Sequence, residues 1–449
     1  MPTHSQESAS LPSYPTLYEA FLYWLKLGCI SFGGPAGQIA IMHHDLVEQK
    51  RWISEHRFLN ALNYCIILPG PEAQQLATYI GWLMHRTWGG LIAGGLFILP
   101  SLVLLILLSY GYLRFGHLPE IAGVLYLIKA AVIAIVLFAA HRIGTRALKN
   151  SAFRLIALTS LLAITLFSTP FPLIILVAGL IGFIGHHYMP SWFSVRATKH
   201  HAESASKGMA LMDDDTPLPE HAKFSWVSFT KVLLTGLICW ISGVAVLVVC
   251  YGWQSVYSQM ALFFSKAALL TFGGAYAVLP YVFQGAVEHY HWLTSAQMMD
   301  GLALGETTPG PLIMVVTFVG FVGGWTQSAH MDPFNSAVIA ALVVTLFTFL
   351  PSFVFILLGA PFIESTKHNL KLAAPLAAIT AAVVGVIVAL ALFFAWHLFF
   401  PATQVSPDYL AMLFSAIGFI GLLKFRLSVI RLIGLFAVAG LVLQLIKVI

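Results

Sequence analysis

Apolar segments long enough to cross a membrane recur along most of this sequence. They occupy residues 88–113, 116–141, 152–169, 171–187, 224–252, 334–359, 373–398, 404–422 and 427–448. About 20 apolar residues in a helix cross the hydrocarbon core of a bilayer, where every backbone polar group needs an internal hydrogen-bond partner. The segments therefore predict an all-α, polytopic integral membrane protein.

The low charge content supports this prediction. Only 9% of the 449 residues are charged, and the mean hydropathy is +0.86. A soluble domain carries about 25% charged residues, so a cytosolic enzyme, a nucleic-acid-binding protein and a disordered chain are excluded. Residues 1–15 contain no lysine or arginine, so a cleaved signal peptide is not expected.

An internal repeat divides the chain into two halves. Residues 240 positions apart match without a gap, as Phe32 and Phe272 do. The matched features are Phe32-Gly33-Gly34 with Phe272-Gly273-Gly274, Pro69-Gly70-Pro71 with Pro309-Gly310-Pro311, and Lys26 with Lys266. A polar stretch separates the halves, so we predict an N-terminal repeat over 1–187, a linker over 188–223 and a C-terminal repeat over 224–449.

Basic residues predict that the two halves have opposite orientations in the membrane. In the first half Arg142 and Arg146 follow the segment 116–141, whereas in the second half the basic loop with Lys367 and Lys371 comes one segment earlier. Cytoplasmic loops are enriched in lysine and arginine, so equivalent helices run in opposite directions, with the N-terminus and the linker in the cytoplasm. An inverted repeat is typical of secondary transporters, whose substrate site lies near the midplane.

The Phe-Gly-Gly and Pro-Gly-Pro motifs predict helices that are broken within the membrane. Glycine releases the backbone from helical geometry, the first proline ends one helix and the second suits the first position of the next. Broken backbone at this depth is tolerated where protein buries it or where it lines a cavity. Helices that begin there direct unpaired N–H groups and positive dipole ends inward, which favours an anion, whereas a packing kink is the alternative for each motif.

Ser54 and Thr294 are predicted N-caps, with Thr294 and Gln297 in a capping box.

Charged residues accompany the breaks. Lys26 and Lys266 lie within apolar helices, where a lysine costs about 2.5–3.5 kcal/mol unless it is paired, is functional or reaches an interface. Glu72 and Glu306 adjoin the Pro-Gly-Pro motifs as candidate proton-coupling groups, although Glu72 also suits a helix cap. Lys129 fits a carboxylate pair and a substrate contact equally well.

These features define one predicted anion site between the halves. The candidate substrate-binding residues are Lys26, Phe32, Gly33, Gly34, Pro69, Gly70, Pro71, Gln74, Gln75, Lys266, Gly273, Gly274, Thr307, Thr308, Pro309, Gly310 and Pro311. Asn60 and Asp300, at equivalent positions, are further candidates for the cavity. No catalytic residue, cofactor or metal is expected, since the sequence has no phosphate-binding loop or Rossmann fingerprint and His43-His44-Asp45 lacks further ligands at a recognised spacing.

The motifs resemble those of the chromate ion transporter (CHR) family in its long, two-halved form. The resemblance rests on Phe32-Gly33-Gly34-Pro35, on the run from Leu68 to Trp82, on Phe272-Gly273-Gly274 and on Gly305 to Pro311. It covers essentially the whole chain, although Ala275 stands where the family often has a third glycine. The resemblance implies antiparallel homologous halves and export of chromate from the bacterial cytoplasm, with resistance to chromate.

Two other functions stay open at this point. Chromate is a tetrahedral dianion similar to sulfate, so a sulfate or other oxyanion carrier is the close alternative. An integral membrane enzyme that uses Glu72 or His43-His44-Asp45 on a lipid-linked substrate is the alternative from another class. The expected partners are the oxyanion and the lipid bilayer of the inner membrane, with no nucleic acid and with a homodimer left open.

Overall fold

The computed structural model describes residues 14–189, 192, 210–213, 216, 219–272, 274–328, 331–365, 373–401 and 406–447. Gly273, Lys367, Lys371 and most of the linker lie outside these residues. Within the described part the chain is all-α, as predicted, and six helices are long and apolar enough to span a membrane.

The helices of the two halves follow the same order. The first half contains α1 (Leu17–Ile30), α2 (Gly34–His43), α3 (Glu55–Ile67), α4 (Glu72–Phe115), α5 (Pro119–Ala147), α6 (Ser151–Phe167) and α7 (Phe171–Tyr188). The second half contains α8 (Trp226–Tyr251), α9 (Val256–Leu269), α10 (Ala275–Phe283), α11 (Ser295–Thr307), α12 (Val315–Thr326), α13 (Pro333–Ser365), α14 (Ala373–Phe399), α15 (Tyr409–Leu423) and α16 (Val429–Leu445). A π-helical turn follows both α2 and α10, at His44–Gln49 and Gln284–His289. The order of elements is therefore duplicated after α8, while opposite orientation of the halves stays a prediction.

Helix α4 reverses its direction. The backbone of Arg86 leaves the helical region with a φ of 56°. On either side of this point Gly81 and Gly89 pack backbone against backbone, and neither position has room for a side chain. The helix is therefore a hairpin with a short arm, residues 72–84, and a long arm, residues 87–115. In the second half α12 and α13 form the equivalent pair.

The two halves interleave in one core. α5 and α14 pack against each other, and the first-half helices α6 and α7 pack on α14, whereas the second-half helices α15 and α16 pack on α5. The last two helices of each half thus pack on α5 or α14 of the other half. The same apolar core contains buried side chains from both halves, so the predicted repeats do not form separate globular units.

The ends of several helices follow the predictions and others differ. Ser54 and Thr294 cap α3 and α11, and the predicted capping box is present at Thr294. Pro71 is the N-cap of α4 rather than its first helical residue, so α4 begins one residue later than predicted. Pro311 is the N-cap of a 3₁₀ turn, Leu312–Met314, and α12 follows that turn. α5 continues past its predicted end, and Arg146 lies in its last turn, where the helix dipole favours a cation.

The first described residue, Tyr14, lies on the same side of the molecule as His221 near the end of the linker. The Tyr14 hydroxyl donates a hydrogen bond to the Met84 carbonyl beside the reversal of α4. The His221 Nε2 lies 3.0 Å from the Trp82 carbonyl oxygen at the same end of that arm. Tyr14 and His221 therefore lie at the same end of this arm, as a cytoplasmic location for both segments requires, and that location stays a prediction.

Candidate functional site

The predicted breaks are present, and glycine is required at them. Gly70 and Gly310, each between two prolines, have φ values of 132° and 102°. L-residues with a side chain rarely adopt such values. Gly33 and Gly34 lie at the junction of α1 and α2 with φ values of 89° and 69°, and a Cβ on either would meet no atom of a described residue within 4 Å. Among the described residues, the start of α2 is therefore open.

The breaks of the two halves are joined by a reciprocal pair of backbone hydrogen bonds. The Gly310 N–H donates to the Ser31 carbonyl at 2.8 Å, and the Gly70 N–H donates to the Thr271 carbonyl at 2.8 Å. Ser31 and Thr271 are equivalent in the repeat, as are Gly70 and Gly310. Each Pro-Gly-Pro break is therefore bonded to the residue before the Phe-Gly-Gly break of the other half. We call these four residues the crossing.

Glutamine side chains hold the crossing together. The Gln38 Nε2 donates to the Gly310 carbonyl at 2.5 Å and to the Ser31 carbonyl at 3.2 Å. The Gln75 Nε2 donates to the Pro69 carbonyl at 2.8 Å. Sequence reasoning identified Gln75 but missed Gln38, although a polar residue in apolar α2, opposite Val278 in the repeat, is a signal for it.

A further bond ties α4 to α13 next to the crossing. The Ser352 hydroxyl donates to the Gln74 Oε1 at 2.7 Å, and the Gln74 Nε2 donates to the Thr78 hydroxyl at 3.0 Å. The amide group of Gln74 is thus already bonded at both ends. We infer that Gln74 positions the short arm of α4 rather than contacting an anion.

Several buried polar atoms near the crossing have no partner among the described residues. They are Ser31 Oγ, Gln38 Oε1, Gln75 Oε1 and Ser101 Oγ. A Cβ on Gly310 would lie 3.4 Å from Ser101 Oγ, which places that hydroxyl at the crossing. Buried polar groups are nearly always hydrogen-bonded, so orphaned ones call for a ligand or a bound water. The two hydroxyls are donors of the kind that an oxyanion accepts from.

Two glutamates flank the start of α10 in the second half. The Glu72 Oε1 lies 3.7 Å from the position that a Cβ on Gly274 would take. The Tyr276 hydroxyl donates to the Glu306 Oε1 at 2.5 Å. Arg146, on the last turn of α5, lies within electrostatic range of Glu72. Carboxylates of both halves therefore lie at the start of α10. The equivalent helix start in the first half, that of α2, is open.

The predicted lysines lie on exposed helix faces. Lys26 on α1 and Lys266 on α9 are both exposed, and neither forms a hydrogen bond or ion pair with a described residue. Lys26 shares its face with Leu22 and Ile30, which are 46% and 42% exposed. The crossing itself is buried, so the structure does not bring the lysines into its hydrogen-bond network. Their part in anion binding stays a prediction.

The other predicted site residues shape the breaks. The Thr307 and Thr308 hydroxyls donate to the carbonyls of Leu304 and Gly305, at 2.8 and 2.9 Å, and so complete the end of α11. Phe32 is 36% exposed beside the open start of α2. The remaining predicted site residues form the two Pro-Gly-Pro turns around Gly70 and Gly310: Pro69, Pro71, Pro309 and Pro311.

Comparisons with known proteins place this chain in a family. The chromate transporter family model matches residues 18–183 and 258–441, one segment in each half. A chromate transport protein of Cupriavidus metallidurans is 30% identical over 377 residues, which are 84% of this chain and 82% of that protein. A chromate transport protein of Pseudomonas aeruginosa is 32% identical over 378 residues, or 84% and 79% of the two chains. No solved structure matches the chain. The predicted resemblance is confirmed, and the chain belongs to the chromate transporter family.

Proposed function

We propose that this chain is a secondary transporter that carries chromate through the crossing of its broken helices. The observation that carries the proposal is the reciprocal bonding of Gly70 to Thr271 and of Gly310 to Ser31. Broken helices from two repeats that meet at one place are the usual substrate site of transporters built from repeats. Membership of the chromate transporter family supports a tetrahedral dianion as the substrate.

The open start of α2 is the proposed place for the dianion. The space around Gly33 and Gly34 admits a ligand, and the N-terminal end of α2 carries unpaired N–H groups and a partial positive charge. The Ser31 and Ser101 hydroxyls, which lack partners among the described residues, supply further donors. Lys26 and Lys266 contribute long-range attraction from their exposed faces and draw the anion toward the site.

Glu72 and Glu306 are the proposed proton-coupling groups. The Glu72 carboxylate already faces the start of α10, where it opposes the approach of a second negative charge. Protonation of Glu72 removes that repulsion, so proton binding and anion binding favour each other. Coupling of this kind is cotransport of a proton with the anion.

The proposed direction of transport is export across the inner membrane. The cytoplasm is negative, so moving a dianion outward gains about 4.6 kcal/mol per 100 mV, or about 2.3 kcal/mol when one proton moves with it. In the proposed topology the N-terminus and the linker 188–223 are cytoplasmic, and the repeats 1–187 and 224–449 are antiparallel. Export by this route confers resistance to chromate.

Proteoliposomes test the transport function. Purified protein is reconstituted, and the accumulation of labelled chromate is followed with and without excess sulfate. The proposal requires saturable chromate uptake that protein-free liposomes lack. Uptake of sulfate in preference to chromate identifies the protein as a sulfate carrier. An enzyme acting on a lipid-linked substrate moves neither ion.

Everted and right-side-out vesicles test the direction. Respiration makes the lumen of everted vesicles positive and that of right-side-out vesicles negative, so export driven by the potential predicts accumulation of chromate in everted vesicles alone. A chromate-sensitive bacterial host that expresses the chain is expected to grow at higher chromate concentrations than a host with the Gly310→Ala variant. Accumulation only in right-side-out vesicles contradicts export and favours import.

A further inference from the structure

A second polar cluster joins the halves away from the crossing. The Lys129 Nζ lies 3.4 Å from the Asp300 Oδ2, and the Tyr112 hydroxyl donates to the same oxygen at 2.9 Å. Lys129 is on α5 and Tyr112 on α4, whereas Asp300 is on α11 of the second half. Of the two roles that the sequence left open for Lys129, the structure shows the carboxylate pair, and the partner is Asp300.

This cluster is not a consequence of the repeat. The equivalent of Asp300 in the first half is Asn60, an exposed residue whose amide contacts the His56 ring. A lysine at the depth of Lys129 has no counterpart in the second half. The chain therefore holds an ion pair at one of two otherwise equivalent positions.

The geometry allows the lysine to leave. Both donors converge on Oδ2, and Tyr112 makes the shorter bond, so this oxygen keeps a partner when Lys129 moves away. The side chain of Asp300 is 3% exposed and that of Lys129 is 21% exposed. The aspartate is thus buried in the protein, whereas the lysine side chain is partly exposed.

The position of Lys129 along α5 favours a polar cavity over lipid around its ammonium group. Lys129 lies ten residues after Pro119, the first residue of α5, which is about 15 Å along the helix. An ammonium group exposed to hydrocarbon at this depth is costly, and such groups face the bundle interior or a water-filled cavity. The residues that follow it, 130–136, are all buried in the protein.

We propose that Lys129 is an oxyanion-binding station on the transport path and that Asp300 holds its ammonium group between anions. The Asp300 carboxylate and the transported dianion compete for the same cation, while Tyr112 keeps the carboxylate hydrogen-bonded when Lys129 turns to the anion. The proposal rests on the proposed oxyanion transport. It adds a binding residue that lies outside the crossing and the repeat.

Sulfate binding to the purified protein tests the competition, with sulfate chosen as a non-oxidising tetrahedral dianion. Titration calorimetry in detergent at constant ionic strength gives the dissociation constant. Asp300→Asn removes the competitor and is expected to tighten binding about tenfold. Lys129→Gln is expected to weaken it at least about tenfold, and Lys129→Arg to keep it within about threefold. The matched control, Glu120→Gln, removes one exposed negative charge at the start of α5 and is expected to leave it unchanged.

The signs of the changes distinguish a binding station from a structural ion pair. A purely structural pair predicts that Asp300→Asn and Lys129→Gln weaken binding alike or leave it unchanged, and either result overturns the proposal. Tyr112→Phe, which leaves Lys129 as the sole partner of Oδ2, is expected to weaken sulfate binding, and it decides the matter if Asp300→Asn does not fold. Failure of the wild-type protein to bind sulfate or chromate contradicts the proposed function instead.

Discussion

Replacement of Gly310 by alanine probes the crossing most sharply. Alanine at a φ of 102° is strained by about 1–3 kcal/mol. Its Cβ would lie 2.9 Å from the Ser101 Cβ and 3.4 Å from the Phe97 carbonyl oxygen, and such overpacking costs about 1–3 kcal/mol more. The total of roughly 2–6 kcal/mol is comparable to the whole folding stability of many proteins.

The matched control is Gly95→Ala in the long arm of α4. A Cβ at Gly95 meets no atom within 4 Å, and alanine is favoured over glycine in a helix by about 0.5–1 kcal/mol. The apparent melting temperature in detergent and the rate of chromate uptake are measured for both variants. We expect both quantities to fall for Gly310→Ala and to hold for Gly95→Ala. Equal melting temperatures and equal uptake in the two variants refute the strained, close-packed crossing.

Four further predictions concern single side chains. Lys26→Ala and Lys266→Ala each remove a long-range attraction and are expected to slow chromate uptake while membrane insertion, checked by fractionation, stays intact, and near-normal uptake by both disproves the role of the cations. Glu72→Gln removes a negative charge near the site, so sulfate affinity measured by calorimetry is expected to rise about tenfold, and a lower affinity argues against competition. Ser352→Ala leaves the glutamine oxygen that it bonds without a partner and is expected to lower the unfolding free energy by about 1–3 kcal/mol. Ser101→Ala breaks no such bond, so it is expected to keep the melting temperature and weaken sulfate binding, and the reverse pattern contradicts its assignment.

Much of the architecture follows from patterns that the sequence states directly. Runs of apolar residues predict the spanning helices because lipid leaves the backbone few alternatives. The breaks at Gly33 and Gly70 are predictable because glycine and proline stand where apolar helix surrounds them. The start of α11 is predictable in the same way, because the Thr294 hydroxyl and Gln297 form a capping box there.

Other features depend on contacts between distant parts of the chain. The reversal of α4 at Arg86 has no glycine or proline in its two non-helical residues, and it depends on the close packing of Gly81 and Gly89. The partner of Lys129 was undetermined because any buried carboxylate satisfies the same local pattern. The exposure of Lys26 was one of the alternatives left open, because a helix in sequence does not show which of its faces is covered by other helices.

The central claim is that one oxyanion site lies where the four breaks meet. Crystals of the protein soaked in chromate test it directly, because chromium scatters anomalously and marks the position of the anion. The account predicts an anomalous peak beside Gly33 and Gly34, within hydrogen-bond reach of Ser31 or Ser101. Peaks confined to the exposed lysines, or none at a chromate concentration that saturates transport, contradict it.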